Sequence, residues 1–571
     1  MAKKKSAAAR VPKLKLTVTH VLTILYSIAM FSVFPLFLTD YYQSARRDKF
    51  WFFVILTSLV GAGVLVVAIV QYSTQNSYQS KKLNRYLDPF RLNITDYGIL
   101  AFLTVNLIST FYNAYQTEDV RSAFDALWLG SYGRNMGLFM ILAVAVCYFM
   151  VSRFFFYKKY VMYLFFVGMT IMSFVAVLNF YYIDILNIFS AYSKNPNVQI
   201  NFTSTIGNKN YLSAMITVAL PFSAGLAVAT KDKTLRIVSY ISTGLQFMGL
   251  LVATSDGGFL GCFAAFAVML IVVSRDLRKL SRFFFTLAIM MASAKTLWAF
   301  DLLMELFGIK NKGYTSFSEI FVYSNSIFIF IFMFAGLAVG AELLKRMYLN
   351  KSASYSAPGN RNLPEENTEP SELENLEKTV FIVTLSLVAL GFAAVVALFY
   401  YYSVINTTAP VGSFTRFFRF NEAWGTHRGY FWIKSMEIFK SFDLKEMLIG
   451  TGPDTFYNAF EPYFAELSKT YGDSSTNAAH NVYINYLVTL GITGLLSYLT
   501  FVGSAIVNAF KNARHNPLAL TCLGVIVAYA TQDIVNIANP VNTPWFIMFI
   551  ALSESVALRA NSTERLMEEN F

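Results

Sequence analysis

Between about Tyr402 and Asn485 the chain gathers side chains suited to holding an anion and moving a proton. Arg416, Arg419 and Arg428 are guanidinium groups, which grip phosphate oxygens in pairs and keep their charge at physiological pH. His480 is an imidazole, and with an ordinary pKa of about 6.5 such a group can take a proton from an attacking hydroxyl near neutrality. Three earlier stretches add polar groups. Arg134 lies within Gly130 to Gly137, Lys209 and Asn210 within Thr203 to Tyr211, and Asp256 within Thr254 to Gly258. Asn481 follows the histidine directly. Several cations around one imidazole suit displacement of a diphosphate from a sugar carbon, where charge stabilisation matters more than acid catalysis.

The elements that must position these groups are hydrophobic helices. The 571 residues are 56% hydrophobic and 14% charged, well below the charged share of about a quarter in soluble chains. Apolar runs of about 20 residues recur and do not alternate, which selects membrane-crossing helices over a barrel. Fourteen segments qualify: 18–39, 51–72, 96–113, 134–151, 160–183, 210–229, 235–253, 256–274, 282–304, 320–343, 379–402, 481–509, 517–535 and 544–559. The fold class is therefore an all-α membrane protein of about 14 transmembrane helices with one large, partly helical loop outside the bilayer.

Basic residues concentrate in the segments that an even span count places inside, so the net charge of +12 reads as the positive-inside pattern facing an anionic leaflet. It does not point to nucleic acid. Arg46, Arg47 and Lys49 break the pattern, falling in a loop assigned outside. Residues 1–17 form a basic inside tail, 18–343 an N-terminal bundle of about ten helices, 344–378 a polar inside linker, 379–559 the C-terminal helices with the loop 403–480, and 560–571 an inside tail. The stretch from Ser352 to Glu377, polar and acidic, is expected to be a flexible linker. Cys147, Cys262 and Cys522 lie in apolar spans and read as small buried hydrophobes. No Cys/His metal spacing is present and the loop carboxylates are scattered, so neither a metal nor another cofactor is expected.

The loop is rich in aromatics and is expected to fold. Phe431, Trp432, Met436, Phe439 and Phe442 fall on one face of a short helix, with Lys434, Glu437 and Ser441 opposite, so this helix should lie along the membrane interface. Each candidate also has a structural reading. Arg134 and Arg428 suit headgroup contacts, and Asn210, Asp256, His480 and Asn481 suit helix caps.

Five stretches together resemble the O-antigen ligase and polymerase family of bacterial membrane glycosyltransferases. They run Gly130 to Gly137, Thr205 to Ala214, Thr426 to Trp432, Gly450 to Phe456 and His480 to Gly494. The resemblance implies a GT-C-like fold in the bacterial cytoplasmic membrane, with both termini cytoplasmic and transfer at the outer face. It implies a polyprenyl-diphosphate-linked glycan donor, a glycan, lipid or protein acceptor, inversion at the sugar carbon and no metal. On this likeness Arg428 engages the diphosphate and His480 positions or activates the acceptor hydroxyl. Arg134, Lys209, Asn210, Arg416, Arg419 and Asn481 complete the substrate site. The family often has Ser-Arg-Gly where this chain has Ser255-Asp256-Gly257, so either another arginine takes that role or Asp256 serves the acceptor.

Two rivals stand beside this reading. A polysaccharide or lipid-linked oligosaccharide transporter would place charges along its spans; here those are mainly Lys295, Glu342 and Asp533. A SEDS-type peptidoglycan glycosyltransferase would need a loop carboxylate, for which Glu422 and Asp454 are the candidates.

Overall fold

The computed structural model describes residues 16–39, 44–74, 92–114, 128–130, 134–189, 199, 201–355, 372–408 and 415–559. Each of the fourteen predicted segments is largely helical, 320–343 straddling the break between Ser316–Tyr323 and Ser326–Tyr355, but the helices divide by length. Among the described residues, ten are long and apolar enough to cross a membrane. Leu138–Phe154, Gly257–Val273 and Pro517–Gln532 are shorter apolar helices. Thr543–Arg559, which carries Glu554 and Arg559, belongs to neither group. At a rise of 1.5 Å per residue, 17 residues reach only about 25 Å, short of a hydrocarbon layer about 30 Å thick.

The last three helices do not stand apart from the first ones. Val482–Ala513 packs along Ile94–Ala114, Pro517–Gln532 lies between Lys209–Ala229 and Gly257–Val273, and Thr543–Arg559 packs on Leu138–Phe154. Small residues permit the close approaches: a β-carbon on Gly261 would overlap the carbonyl oxygen of Ala528. Lys209–Ala229 is enclosed on every side and forms the centre of the bundle. Glu372–Tyr400, by contrast, buries no residue within the protein. A helix apolar all round and uncovered by its own chain requires hydrocarbon about it.

Two expectations are corrected here. Helix Ser326–Tyr355 continues past 352, and Glu372–Tyr400 begins before 377, so both ends of the supposed linker are helical; 356–371 lies outside the described residues. Glu372 and Glu374 in its first turn oppose the helix dipole favourably. Glu377 accepts the Leu277 amide at 3.0 Å, and its carboxylate lies 3.7 Å from Lys345. The second correction concerns Lys49. It is fully buried, and its ammonium donates to the carbonyls of Phe34, Pro35 and Phe37 at 2.6, 3.0 and 2.6 Å. The first helix ends in a π turn and a short 3-10 turn containing Pro35, and Lys49 satisfies the carbonyls that this ending frees. Its charge therefore serves the fold, which explains one breach of the positive-inside pattern.

The segment between Ile405 and Asn481 has a core of its own. Tyr430, Phe431, Ile438, Phe456, Phe460 and Leu467 close around Ala479 and Val488, which belong to the approach and start of the next helix. Each fully buried phenyl contributes roughly 1.5–3 kcal/mol where the alternative is water. The amphipathic helix is Trp424–Ser441, but its buried stripe is Tyr430, Phe431, Ser435 and Ile438; Met436 is exposed. The predicted apolar face is thus rotated, because the helix covers the loop's own core. Lys434 bridges Glu437 and Glu466 at 3.3 and 3.4 Å.

The loop is fastened to the bundle by a broken helix. Val482–Ala513 kinks at Gly491 (φ 67°, ψ −171°), which strips carbonyls in the preceding turn of their helical partners. The Thr451 and Gly452 amides take them, donating to Val488 and Thr489 at 3.2 and 2.9 Å. The Thr493 hydroxyl donates in return to the Leu448 carbonyl at 2.6 Å. Two of the stretches singled out in sequence, 450–456 and 480–494, therefore bond to each other.

Candidate active site

Arg428 is presented by an unusual turn. Gly425, Thr426 and His427 all have left-handed backbone (φ 61°, 56° and 67°) immediately before it. A β-branched residue such as Thr426 is an outlier there, and such residues cost of order 1–3 kcal/mol each. The turn is held by the Tyr430 amide donating to the Glu422 carbonyl at 2.9 Å and that of Trp424 to Asn421 at 3.0 Å. The Asn421 carbonyl passes so close to Gly429 that a β-carbon would not fit. Arg428 emerges half-buried. Its Nη1 donates to the Gly425 carbonyl at 3.2 Å, while its Nε is buried with no hydrogen-bond partner among the described residues. Burial works against its charge.

His480 lies across Phe431, with ring centroids 5.6 Å apart and nearly parallel planes. Its backbone is left-handed (φ 52°). Burial, then the charges of Arg428 and Arg134, push its pKa down to about 3, so the imidazole is neutral at pH 7. Of the cations expected around it, Arg428 and Arg134 are the two whose charges bear on it.

Arg134 does not stand open to an outside anion as expected. It is 4% exposed, and its guanidinium is spread over three segments. Nη1 donates to the Asn477 carbonyl at 2.5 Å, Nη2 to that of Ala538 at 2.8 Å, and Nε lies 3.4 Å from Asp454. Asp454 was read as one of several scattered carboxylates; it is buried, with left-handed backbone. Burial pushes its carboxyl up to about 6 against the pull of Arg134, the Met136 amide and Arg46. Arg46, a second breach of the charge pattern, thus has its charge near the buried carboxylate. Beside the pair is a cavity of about 20 Å³, room for about one water, lined by Asn106, Asn485, Tyr486 and Thr489.

The second and third stretches meet each other. The Ser255 hydroxyl donates to the Asn210 side chain at 2.8 Å, and the Ser213 hydroxyl to the Ser255 carbonyl at 3.2 Å. Lys209 and Asp256 are half-buried at the starts of their helices, and the Asp256 side chain makes no cap bond. Gly257 approaches Val535, and the Asp533 carbonyl accepts the Val482 amide at 2.9 Å, so this pair adjoins the His480 approach. Asn481 caps its helix by accepting the Ile484 amide at 3.0 Å. Arg419 lies between Phe418 and Phe420, whose backbones both bond the Ser403 hydroxyl, and the Phe420 ring packs on Trp424 and Trp432 of the Arg428 helix. The Arg416 side chain lies outside the described residues. Among the described residues no three or more His, Cys, Asp or Glu side chains converge as metal ligands.

Sequence reasoning missed the turn 533–542, which had no motif to mark it, and missed the pairing of Arg134 with Asp454. Only the shared left-handed and glycine-rich character of their stretches hinted that both sit at tight turns.

The fold is that of a multi-pass helical membrane protein whose polar loop docks on one end of the bundle. Residues 320–499 match the family model described as O-antigen ligase. The matched region contains Arg428, His480 and the loop, but not Arg134, Lys209 or Asp256. That partial match supports a glycosyltransferase-like role in polysaccharide assembly at a membrane. A search of curated proteins found no match to the chain.

Proposed function

We propose that the protein is a metal-independent, inverting glycosyltransferase of the bacterial cytoplasmic membrane. It moves a glycan from a polyprenyl-diphosphate donor to an acceptor hydroxyl at the outer face, to which the loop is assigned, with both termini assigned to the cytoplasmic side. The observation that carries this reading is Arg428: a strained turn delivers a half-buried guanidinium, its Nε without an acceptor among the described residues, whose charge bears on a neutral imidazole. A buried N–H donor left unmatched is costly, and a diphosphate oxygen supplies the acceptor.

In the reaction the acceptor oxygen bonds the anomeric carbon from the face opposite the leaving group. The bond from that carbon to the diphosphate oxygen breaks, and the electron pair leaves with the diphosphate, towards Arg428. The hydroxyl proton passes to a ring nitrogen of His480. Imidazole basicity is held down first by burial and then by Arg428. A bound diphosphate offsets the second cause, so the donor itself raises the proton affinity of the base. Lys209, Arg416 and Arg419 are assigned to the outer parts of the donor, and Asp256 with Asn210 to the acceptor hydroxyls.

A transporter would need ionisable groups open to cargo along the bundle. Asp96 instead takes bonds from Tyr148 and Arg153 at 2.7 Å each, and both oxygens of Glu554 accept from Asn93, Thr95 or Asn508. Of the two loop carboxylates open to a SEDS-type reading, Asp454 is engaged by Arg134, while Glu422 is exposed and accepts from the Tyr471 hydroxyl at 3.3 Å. The test is binding of undecaprenyl diphosphate to the purified full chain in lipid nanodiscs. Saturable binding lost in Arg428→Ala is expected; equal binding by the variant would remove Arg428 from the donor site.

A further inference from the structure

Arg134 touches three pieces of chain that are far apart in sequence, and each contact bears on where His480 sits. The Asn477 carbonyl that it holds is three residues before the histidine. The Ala538 carbonyl belongs to the turn after Pro517–Gln532, and that same turn, through the Asp533 carbonyl, accepts the amide of Val482 two residues after the histidine. The backbone on both sides of His480 is therefore tied to one turn, once by Arg134 directly and once by a main-chain bond. Between the ties, the Ala479 amide donates to Asn485 at 3.3 Å and Asn481 caps the helix, so the left-handed His480 has few alternatives. The third contact, to Asp454, is itself fixed: Asp454 lies in the turn that bonds the broken helix, and its carboxylate is packed against Gly130.

We propose that Arg134 is a positioning residue, a clasp that holds the His480 segment against the 533–538 turn and the loop, and is not a ligand of the donor. The proposal rests on His480 acting as the base. Its geometry is independent of that role, because all three contacts are to protein atoms. A lysine keeps the charge, but its single ammonium nitrogen cannot reproduce the spread of Nε, Nη1 and Nη2 over acceptors from three segments.

The experiment compares the full chain in nanodiscs with Arg134→Lys and Asp454→Asn. Amide exchange over 476–482 is read without substrate, and undecaprenyl diphosphate binding and glycan transfer are read separately. Arg134→Lys should lose exchange protection over 476–482 and cut transfer about a hundredfold, as misplacement by an ångström does, with donor binding within about twofold. Asp454→Asn, which spares the two carbonyl bonds, should show the same pattern more weakly. Unchanged protection in Arg134→Lys, or donor binding lost in either variant, overturns the clasp. Failure of the glycosyltransferase reading looks different: the wild-type chain then binds no undecaprenyl diphosphate, while the exchange result still decides the clasp.

Discussion

Gly491 rests against Ile449 so closely that a β-carbon on the glycine would stand 2.6 Å from the isoleucine amide nitrogen. It would also overlap the Leu448 carbonyl, and Gly450 meets Thr489 in the same way from the other side. Both glycines have positive φ, so an alanine at either is strained in backbone as well as crowded. Gly450→Ala and Gly491→Ala should therefore undock the loop. Limited proteolysis should cut the variants within 444–471 far faster than wild type, with transfer lost and insertion of the chain retained. Wild-type resistance in either variant would refute the docking role.

Arg428→Ala and His480→Ala should each lower transfer by about a hundredfold to a thousandfold, the scale seen when a charge-stabilising donor is removed, while expression stays normal. Binding separates them. Arg428→Ala should lose undecaprenyl diphosphate and His480→Ala should keep it, read by direct lipid binding alongside glycan transfer. Full activity in either variant would remove that residue from the mechanism.

His480 carries a definite sign of pH dependence. Its pKa is held near 3, below the ordinary value of about 6.5, so the docked loop refuses a proton that an undocked histidine accepts. Its contribution to docking is thus complete above about pH 6.5 and is lost as pH falls toward 3. In kcat/KM, which reports the donor-free protein, transfer should show no acid limb at the ordinary histidine pKa. In Arg428→Met the imidazole should titrate higher, since one depressing charge is gone; a ring-carbon NMR titration of His480 reads this directly.

Orientation has its own test. Ser468 is exposed on Phe464–Tyr471, and Cys147, Cys262 and Cys522 are buried. Ser468→Cys in whole cells should react with a membrane-impermeant maleimide, and the wild-type chain should not. Labelling only after the membrane is opened would place the loop inside and reverse the proposed topology.

The all-helical, membrane-crossing character of the chain was legible in the sequence, because hydrocarbon tolerates only apolar runs of helix length and so writes them plainly along the chain. The loop's existence, its aromatic core and the types of Arg428 and His480 were legible for a related reason: polar and aromatic residues in number cannot lie within such runs. What the tertiary structure decided was which cations meet. Arg134 and Arg428 look alike as letters, yet one is spent on Asn477, Ala538 and Asp454 while the other keeps a buried N–H unmatched among the described residues. Lys49 likewise looked like a misplaced surface charge and is a buried cap for three carbonyls. A guanidinium or ammonium is committed or available according to which acceptors lie within about 3 Å. Those acceptors are main-chain carbonyls brought from distant turns, which no side-chain pattern records.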